Sequence, residues 1–354
     1  IMNSVQTVKL RTILKHAENF DSHILHIYFL AAPDFLGVKS VFPLVPTHGE
    51  VVTRALRLKR LGHEWGALLA GRTTHPTTVV PGGYSKTPTP KEVTELKNKL
   101  LAAVPDLNAT IDTIESLAPK IPQFTRPTEY MAVHSDNEYG VYDGVVQTVM
   151  PDGSKQQWPF SEYRKCTNEF IVAQSTAKWA KNKMDSYAAG ALARFNNNYE
   201  QLHPEAKKVA QRLGMKPIVT NPYLNTVAQL VEVVHSVYDS LRLIDEVLAD
   251  GLEHEPLVMP TKWSKGASAC EVPRGILFHE YEYDKKGICI GGNCIIPTNQ
   301  NHANIQLDFE KLVPELIAAK KTEKEIELAL EMLVRAYDPC ISCSTHYLTV
   351  QFVR

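Results

Sequence analysis

The segment from Leu224 to Leu248 limits the possible folds more than any other part of the chain. Neither proline nor glycine interrupts it, and apolar residues recur along it at helical spacing. Its apolar positions include Leu224, Ala228, Leu230, Val231, Val234, Val237, Leu241, Leu243 and Leu248. This spacing predicts one long helix that starts at Asn221-Pro222. We therefore expect a core built from long helices.

Start and stop signals predict the other helices of this core. In a capping box, a threonine side chain accepts a hydrogen bond from the third residue of the helix, and a glutamate there returns the bond. The first predicted helix begins at Asn3 or Ser4 and ends at about Phe20. The second begins at the capping box Thr47-His-Gly-Glu50 and ends at Leu69, with Gly71 as its stop, and a third begins at Thr89-Pro90. Two more are predicted, one from about Ser175 to Phe195 and one from the capping box Thr322-Glu-Lys-Glu325 to about Tyr337.

Two segments between these helices are predicted to form β-structure. Residues Thr128 to Phe160 alternate around the turn Pro151-Asp-Gly153, and Val272 to Thr298 has the pattern of a hairpin around Asp284 to Gly287. The expected fold class is α+β and mainly helical, with a long-helix bundle core and small β-hairpin or sheet insertions. No flexible linker or repeat divides the chain, so we predict a single domain over residues 1–354.

Composition excludes several classes of protein. The chain has 38 Lys and Arg against 39 Asp and Glu, which lacks the basic surplus of a nucleic-acid binder. Polar residues interrupt every apolar stretch before the roughly 18 residues that a membrane span needs. The 6 cysteines are too sparse for a disulfide scaffold. We therefore expect a reduced, cytoplasmic protein that neither binds nucleic acid nor inserts into a membrane.

The most specific chemical pattern lies near the end of the chain, in Asp338-Pro339-Cys340-Ile-Ser-Cys343-Ser-Thr-His346. Two cysteines separated by two residues can direct both sulfurs at one metal, and thiolates favour zinc, nickel, copper or iron. A structural zinc site needs four ligands, and Cys289 and Cys294 could supply the other two. Spacing alone leaves zinc and the other thiolate-bound metals open.

The same nine residues match the D-P-C-x-x-C-x-x-H motif that closes the large subunits of nickel-iron hydrogenases. Other segments resemble this family in the same order along the chain. They are Ser22-His23 to Phe35, Gly71-Arg-Thr-Thr-His75-Pro76 with Pro81-Gly-Gly83, Ala193-Arg-Phe-Asn-Asn-Asn198, Glu271-Val-Pro-Arg-Gly275 and Ile296-Pro-Thr-Asn-Gln-Asn301. The Ala193 segment is similar to the cytoplasmic, cofactor-coupled branch of the family.

The resemblance implies a nickel-iron centre whose iron carries carbon monoxide and cyanide, with a magnesium (or iron) ion nearby. Cys340 would be a terminal nickel ligand, and Cys343 would bridge the two metals. His346 would help to hold the magnesium ion. The family's other two cysteines come from an N-terminal R-x-C-G-x-C motif, whereas the first cysteine here is Cys166. We predict that the natural polypeptide begins further upstream, with such a pair.

The resemblance also implies roles for residues around the metals. Arg274 would lie over the open metal position, and Asp34 and Asp338 would orient it. Pro273, the backbone of Arg274 and Thr298 would line the cyanide ligands. Eight residues follow His346. Many family members are cleaved after this histidine, so the tail predicts either an unprocessed precursor or a branch that keeps its tail.

The leading functional hypothesis is reversible, heterolytic oxidation of dihydrogen. Cys340 or Arg274 would take the proton, and the thiolate is the better base because guanidinium stays charged. The remaining cysteines form no iron-sulfur relay. We therefore expect a small iron-sulfur subunit and further electron-transfer subunits of the flavin or heterodisulfide-reductase type, with the final acceptor open. The alternatives are a non-catalytic hydrogenase-like scaffold of a redox complex and a structural zinc protein.

His23 and His26 are separated by two residues near one end of the first helix. Such a pair can bind a metal, but one core-packed and one surface histidine is the commoner arrangement. We expect the latter.

Overall fold

The computed structural model describes residues 3–340 and 350–352. Its α-helices follow the order α1 (Val5–Leu25), α2 (Ala32–Phe35), α3 (Val45–Ala70), α4 (Pro90–Ala102), α5 (Val104–Leu117), α6 (Ala191–Asn198), α7 (Pro204–Arg212), α8 (Asn225–Asp250), α9 (Pro297–Ala318) and α10 (Glu323–Ala336). The strands are β1 (Val79–Val80), β2 (Gly83–Tyr84), β3 (Glu129–His134), β4 (Val145–Val149), β5 (Lys155–Trp158), β6 (Asn168–Phe170), β7 (Trp179–Lys181), β8 (Tyr187–Ala188), β9 (Lys265–Val272), β10 (Gly275–Tyr283) and β11 (Cys289–Ile295).

Helices α1 and α8 pack against each other extensively, and α1 also packs along α3. The long α8 confirms the prediction from the apolar pattern after Asn221-Pro222. Ser4 caps α1, as expected, by accepting a hydrogen bond from the amide of Thr7. One π-helical turn (His26–Ala31) joins α1 to α2. The largest apolar core cluster extends over the helices, from Leu10 on α1 to Leu333 on α10.

Small sheets are attached to this helical core. Among the described residues, the two larger sheets have the strand orders β5-β4-β3-β8 and β11-β10-β9, and the pairs β1-β2 and β6-β7 form two-stranded sheets. The Pro151-Asp-Gly153 turn joins β4 to β5, and the turn at Asp284 to Gly287 joins β10 to β11, so both predicted β-regions are confirmed. The fold is thus α+β and mainly helical, as the sequence predicts.

The capping predictions had mixed outcomes. The capping box predicted at Thr322 is confirmed, and so is the helix start predicted at Thr89-Pro90, where Thr89 also forms a capping box with Glu92. The box predicted at Thr47 is wrong, because α3 already starts at Val45 and the Thr47 hydroxyl contacts His48 Nδ1. Gly71 does end α3 with a left-handed backbone, φ 78°.

The helix predicted from Ser175 to Phe195 is also wrong over most of its length. This segment contains strands β7 and β8, and only its last residues belong to a helix, α6. Buried Glu129 explains the irregular backbone between the strands, because its carboxylate accepts hydrogen bonds from the amides of Lys183 and Met184. Such a long-range contact leaves no signal in a local pattern.

Candidate metal centre

The site is built around the turn between β9 and β10, which carries Pro273 and Arg274. Val272 and Gly275 are register partners, so the turn contains only those two residues. Gly275 has φ 138°, and a side chain there would lie 2.7 Å from the Ala189 Cβ atom. Glycine therefore lets the turn pack against the backbone that leads into α6.

The buried Arg194 side chain holds the same turn from beneath. Its Nη1 donates to the carbonyl of Val272, and its Nη2 donates to the carbonyl of Pro273, both at 2.9 Å. The guanidinium also binds Glu232 through Nε and Nη2 and Glu271 through Nη1. Arg194 thus fixes the backbone from which Arg274 projects.

The two carboxylates differ electrostatically although both bind Arg194. Burial is the largest influence on each and raises its pKa. Glu232 nevertheless has a lowered pKa, because the positive charge of Arg194 and the hydrogen bonds from Arg194 and His23 outweigh burial. Glu271 accepts a single Arg194 contact and the amide of Val133, so burial prevails and raises its pKa to about 7. Glu271 therefore binds or loses a proton near neutral pH.

Arg274 is paired with Asp338, which follows α10. The Arg274 Nε atom donates to the Asp338 carbonyl at 2.9 Å, and Nη2 lies 3.2 Å from the Asp338 Oδ1 atom. Gln229 on α8 donates to Asp338 Oδ2 at 3.0 Å. Asp338 has φ 49°, a left-handed conformation that is uncommon outside glycine. The pairing expected of Arg274 and Asp338 is therefore present.

Thr298 and Cys340 meet at the beginning of α9. The Thr298 Oγ1 atom accepts a hydrogen bond from the Cys340 amide at 3.1 Å. This contact uses a lone pair of the oxygen and leaves the hydroxyl proton available as a donor. Thr298 is buried, so its position is set by the helix start at Pro297.

Four of the predicted site residues, Pro273, Arg274, Thr298 and Cys340, line one cavity of about 740 Å³. We call it the Arg274 cavity. The opposite wall comes from α1, from α3 and from the loop after α3. Its lining there includes Arg11, Lys15, Glu18, Asp21, Ser22, Gly62, Gly66, Arg72 and His75. The structure thus brings together residues from five separate matching segments of the sequence.

Asp34 does not take the predicted position. Its Oδ2 atom accepts a hydrogen bond from Arg335 Nε at 2.6 Å, and it lines a different, smaller pocket with Arg335. Burial raises the pKa of Asp34, although Arg335 opposes this effect. The prediction that Asp34 orients Arg274 by direct contact is therefore wrong, because Arg335 occupies its carboxylate.

The prediction that one histidine of the pair His23 and His26 lies at the surface is also wrong, because both are buried. Each has a partner on α8. His23 contacts Glu232, and His26 contacts Gln229. Polar partners from a distant part of the chain make it possible to bury both rings.

The zinc arrangement is excluded by the geometry of β11. Cys289 and Cys294 lie at the two ends of this strand, which separates their backbones by about 16 Å. Their odd spacing also directs the side chains to opposite faces of the sheet, although a bulge lies beside Cys289. Both are exposed rather than buried as small apolar residues. Cys343 and His346 lie outside the described residues.

The sequence analysis missed the polar residues that α1 contributes to the cavity. Arg11, Lys15, Glu18 and Ser22 follow one helical stripe, with steps of three or four residues. This spacing could have shown that they share a face, but nothing in the sequence indicated which face adjoins the metal motif. Arg194 and Glu232 were missed for the same reason, since they lie on different helices.

A family model described as nickel-dependent hydrogenase matches residues 170–346. The chain is 31% identical over 341 residues to the alpha subunit of sulfhydrogenase 1 from Pyrococcus furiosus, an alignment that covers 95% of this chain and 77% of that protein. This chain belongs to the nickel-dependent hydrogenase family, and it is an oxidoreductase that acts on hydrogen.

Two further comparisons agree with this assignment. The beta subunit of the NAD-reducing hydrogenase HoxS from Cupriavidus necator is 25% identical over 374 residues, covering 96% of this chain and 76% of that protein. A crystal structure of an NAD+-reducing [NiFe]-hydrogenase in the H2-reduced state superimposes with a TM-score of 0.88 at 24% identity, over 98% of this chain and 81% of that chain. The structural match shows that the fold is shared.

The residues around the Arg274 cavity suit a thiolate-bound metal centre with small anionic ligands. Cys340 places a sulfur ligand at the cavity, and Thr298 retains a hydroxyl proton that can be donated to such a ligand. Arg274 has further N–H groups beyond the two that contact Asp338. These donors fit cyanide, which accepts hydrogen bonds. Pro273 gives the same wall an apolar surface.

Proposed function

We propose that this chain is the catalytic subunit of a nickel-iron hydrogenase and that the Arg274 cavity holds the metals. The observation that carries the proposal is the convergence of Arg274, Thr298 and Cys340 on one cavity from three distant parts of the sequence. The reaction would be the reversible, heterolytic cleavage of dihydrogen into protons and electrons. A nickel-iron centre with carbon monoxide and cyanide on its iron would supply the Lewis acid there.

The side chains would divide the work around that centre. Cys340, with Cys343 from outside the described residues, would bind it, and the Cys340 sulfur would accept the proton from dihydrogen. Arg274 would supply hydrogen-bond donors at the open position, and Asp338 would keep it directed at the cavity. Thr298 and Pro273 would surround the cyanide ligands. His346 would help to hold a magnesium or iron ion nearby.

The electrons would pass to other subunits. Among the described residues, the cysteines outside the site are Cys166, Cys270, Cys289 and Cys294, and they form no cluster with iron-sulfur spacing. A small iron-sulfur subunit, with further flavin-type or heterodisulfide-reductase-type subunits, would accept the electrons. The named relatives are likewise alpha and beta subunits of larger hydrogenases.

A cytoplasmic location is proposed for this complex. Within residues 3–340 and 350–352, no helix has both the length and the apolar character that crossing a bilayer requires.

A pair of cysteine variants tests this function. Hydrogen-dependent reduction of a viologen dye and nickel content are measured on the purified native complex. Cys340→Ser should lose both the activity and most of the nickel, because the oxygen of serine is a poorer ligand for a thiolate-binding metal. Cys289→Ser, at an exposed cysteine on β11, should match the wild type. Retention of full activity by Cys340→Ser would contradict the proposal.

A further inference from the structure

Polar side chains face one another along the contact between α1 and α8. Successive histidines, His16, His23 and His26, are seven and then three residues apart along α1 and the π-helical turn that follows it. Their partners on α8 have the same spacing in the reverse direction, as expected for two antiparallel helices. The pairs are His16 Nε2 with Asp239 Oδ2 at 2.9 Å, His23 Nε2 with Glu232 Oε2 at 2.7 Å, and His26 Nδ1 with Gln229 Oε1 at 2.5 Å. We call these six residues the α1–α8 seam.

The seam is not explained by stability. Five of its residues are buried, and only Asp239 is partly exposed. Removing charged groups from water costs about as much as their pairing returns, and apolar residues of similar size stabilise such contacts equally well. A row of histidines and carboxylates through the main helix contact therefore suggests a role in moving charge.

The carboxylates fix the protonation of two histidine rings. Asp239 accepts at His16 Nε2, and Glu232 accepts at His23 Nε2, so each neutral ring carries its proton on that nitrogen. The Nδ1 atom of each ring is then a bare acceptor. Both Nδ1 atoms are buried and have no hydrogen-bond partner in the part of the chain that the structure describes. Each ring can thus receive a proton at Nδ1. Glu232 favours the imidazolium form of His23 and partly offsets the burial that lowers the pKa of this ring.

Further polar atoms without a hydrogen-bond partner among the described residues lie along the seam. The Asn19 Oδ1 atom on α1 and the His235 Nε2 atom on α8 lie between the pairs, and the Ser240 Oγ atom lies beside Asp239 at the outer end. Asn19 follows His16 by three residues and precedes His23 by four, so it lies on the same face of α1. Buried polar groups with spare hydrogen-bonding capacity are the usual sites of internal water. Water bound there would connect the two Nδ1 atoms.

A metal ion is a poorer explanation for the outer part of the seam. His16, His235 and Asp239 each offer one ligand atom within 4.8 Å of the others. However, His235 Nδ1 accepts a hydrogen bond from the His203 amide, so its neutral ring carries the proton on Nε2. Burial also lowers the pKa of His235 to about 3. The ring therefore presents an N–H donor to this space rather than a lone pair for a metal.

The seam reaches the Arg274 cavity at one end and the protein surface at the other. At the inner end, Gln229 donates to Asp338, which is the partner of Arg274. At the outer end, Asp239 pairs with Arg242, whose side chain is 39% exposed. Gln229 and Asp239 are ten positions apart, which corresponds to about 15 Å along α8.

We propose that the α1–α8 seam conducts protons between the Arg274 cavity and the surface at Asp239, with His16 and His23 as the carriers. This proposal rests on the proposed function, which produces protons in that cavity. A carrier binds a proton at Nδ1 from one water molecule and releases it to the next, so each ring returns to its starting form and no electron moves. Glu232 also faces Arg194 and Tyr139, with Glu271 on the far side of Arg194.

Two reactions of dihydrogen separate proton conduction from the chemistry at the metals. Conversion of para- to ortho-hydrogen needs only cleavage and re-formation within the cavity. Exchange of D2 with solvent protons also needs a path to the bulk. Both are measured on the purified native complex, for the wild type and for His16→Gln, whose amide can still bind Asp239 but cannot carry a proton.

The expected result is that His16→Gln slows exchange about 10-fold or more, within the range of lost acid-base groups, while para-ortho conversion is unchanged. Asp239→Asn, at the partly exposed end, should slow exchange in the same way and provides a second variant if the first folds poorly. His134→Gln is the matched control, because His134 is a buried histidine on β3 with its own carboxylate partner, Asp136, away from the seam. It should leave both reactions unchanged.

A crystal structure of the complex gives a readout that does not depend on turnover. Ordered water should lie within hydrogen-bonding distance of His16 Nδ1 and of His23 Nδ1. Dry contacts at both atoms would overturn the proposal, and so would His16→Gln and Asp239→Asn complexes that exchange as fast as the wild type. A wild-type complex that catalyses neither reaction would overturn the proposed function together with this path.

Discussion

Arg274 contacts Asp338 at two points, through Nε to the backbone carbonyl at 2.9 Å and through Nη2 to Oδ1 at 3.2 Å. These contacts join the β9–β10 turn to the segment that carries Cys340, although the two are far apart in sequence. The left-handed backbone of Asp338 presents both acceptors to one guanidinium. The pair therefore couples the position of Arg274 to the position of Cys340, the proposed metal ligand.

Replacing Arg274 with lysine tests the importance of the planar guanidinium. Lysine keeps the charge but cannot contact both Asp338 acceptors with the same fixed geometry. We expect Arg274→Lys to reduce hydrogen-dependent dye reduction about 100-fold, the size of a lost preorganised donor, with normal nickel content. Arg164→Lys, at the exposed pair with Glu280, is the control and should keep full activity. Activity of Arg274→Lys near the wild-type level would show that the two contacts of the guanidinium with Asp338 are not needed.

Two aspartates separate an effect on the site from an effect on stability. Asp338→Asn should lower activity about 10-fold or more, because it weakens the partner of Arg274. Asp34→Asn should lower the free energy of unfolding by about 1–2 kcal/mol through the lost Arg335 contact, with activity within about twofold. Chemical denaturation and dye reduction measure the two effects. A greater loss of activity in Asp34→Asn than in Asp338→Asn would contradict the structure.

Thr298→Val removes the acceptor of the Cys340 amide and keeps the shape of the side chain. The unpaired amide should cost about 1 kcal/mol of stability and loosen the metal-binding segment, so nickel content should fall. Thr148→Val is the matched control, because the buried Thr148 hydroxyl has no hydrogen-bond partner and valine loses nothing there. Elemental analysis of the two purified variants decides the outcome, and equal nickel contents would refute a role for Thr298.

The pH dependence of stability tests the protonation of Glu271. Its pKa is raised from 4.5 to about 7 in the folded protein. The bound proton therefore stabilises the fold fully below about pH 4.5, and this contribution is lost as the pH rises through about 7. Glu271→Gln has no ionisable group at this position, so its stability does not contain this pH-dependent contribution. Between about pH 5 and pH 8, the unfolding free energy of the wild type should fall by about 2 kcal/mol relative to the variant.

Denaturation midpoints of both proteins across this range give the difference. Glu280→Gln, at an exposed carboxylate that pairs with Arg164 and Lys265, should show a nearly constant difference from the wild type over the same range. A constant difference for Glu271→Gln as well would mean that Glu271 is ionised throughout.

Local signals predicted much of the fold. The helix start at Thr89-Pro90, the capping box at Thr322 and the turn at Asp284 to Gly287 depend on residues a few positions apart, and all are present. The helix predicted from Ser175 failed because its backbone instead binds Glu129, which is distant in sequence. A local pattern contains no information on such partners.

The candidate site shows the same limit. Arg274, Thr298 and Cys340 each lie in a short motif and could be named from the sequence. Asp34 also lies in a matching segment, but its contact with Arg335 depends on how α2 and α10 pack. The His23–Glu232 pair joins residues 209 positions apart, so only the assembled helices reveal it.

The most direct test of the central claim is an infrared spectrum of the purified native complex, in the region where metal-bound carbon monoxide and cyanide absorb. The account predicts bands from both ligands, and it predicts that the cyanide bands shift in Thr298→Val, because the Thr298 hydroxyl faces the same cavity as Cys340. A complex that retains nickel and iron but shows no such bands would contradict the account.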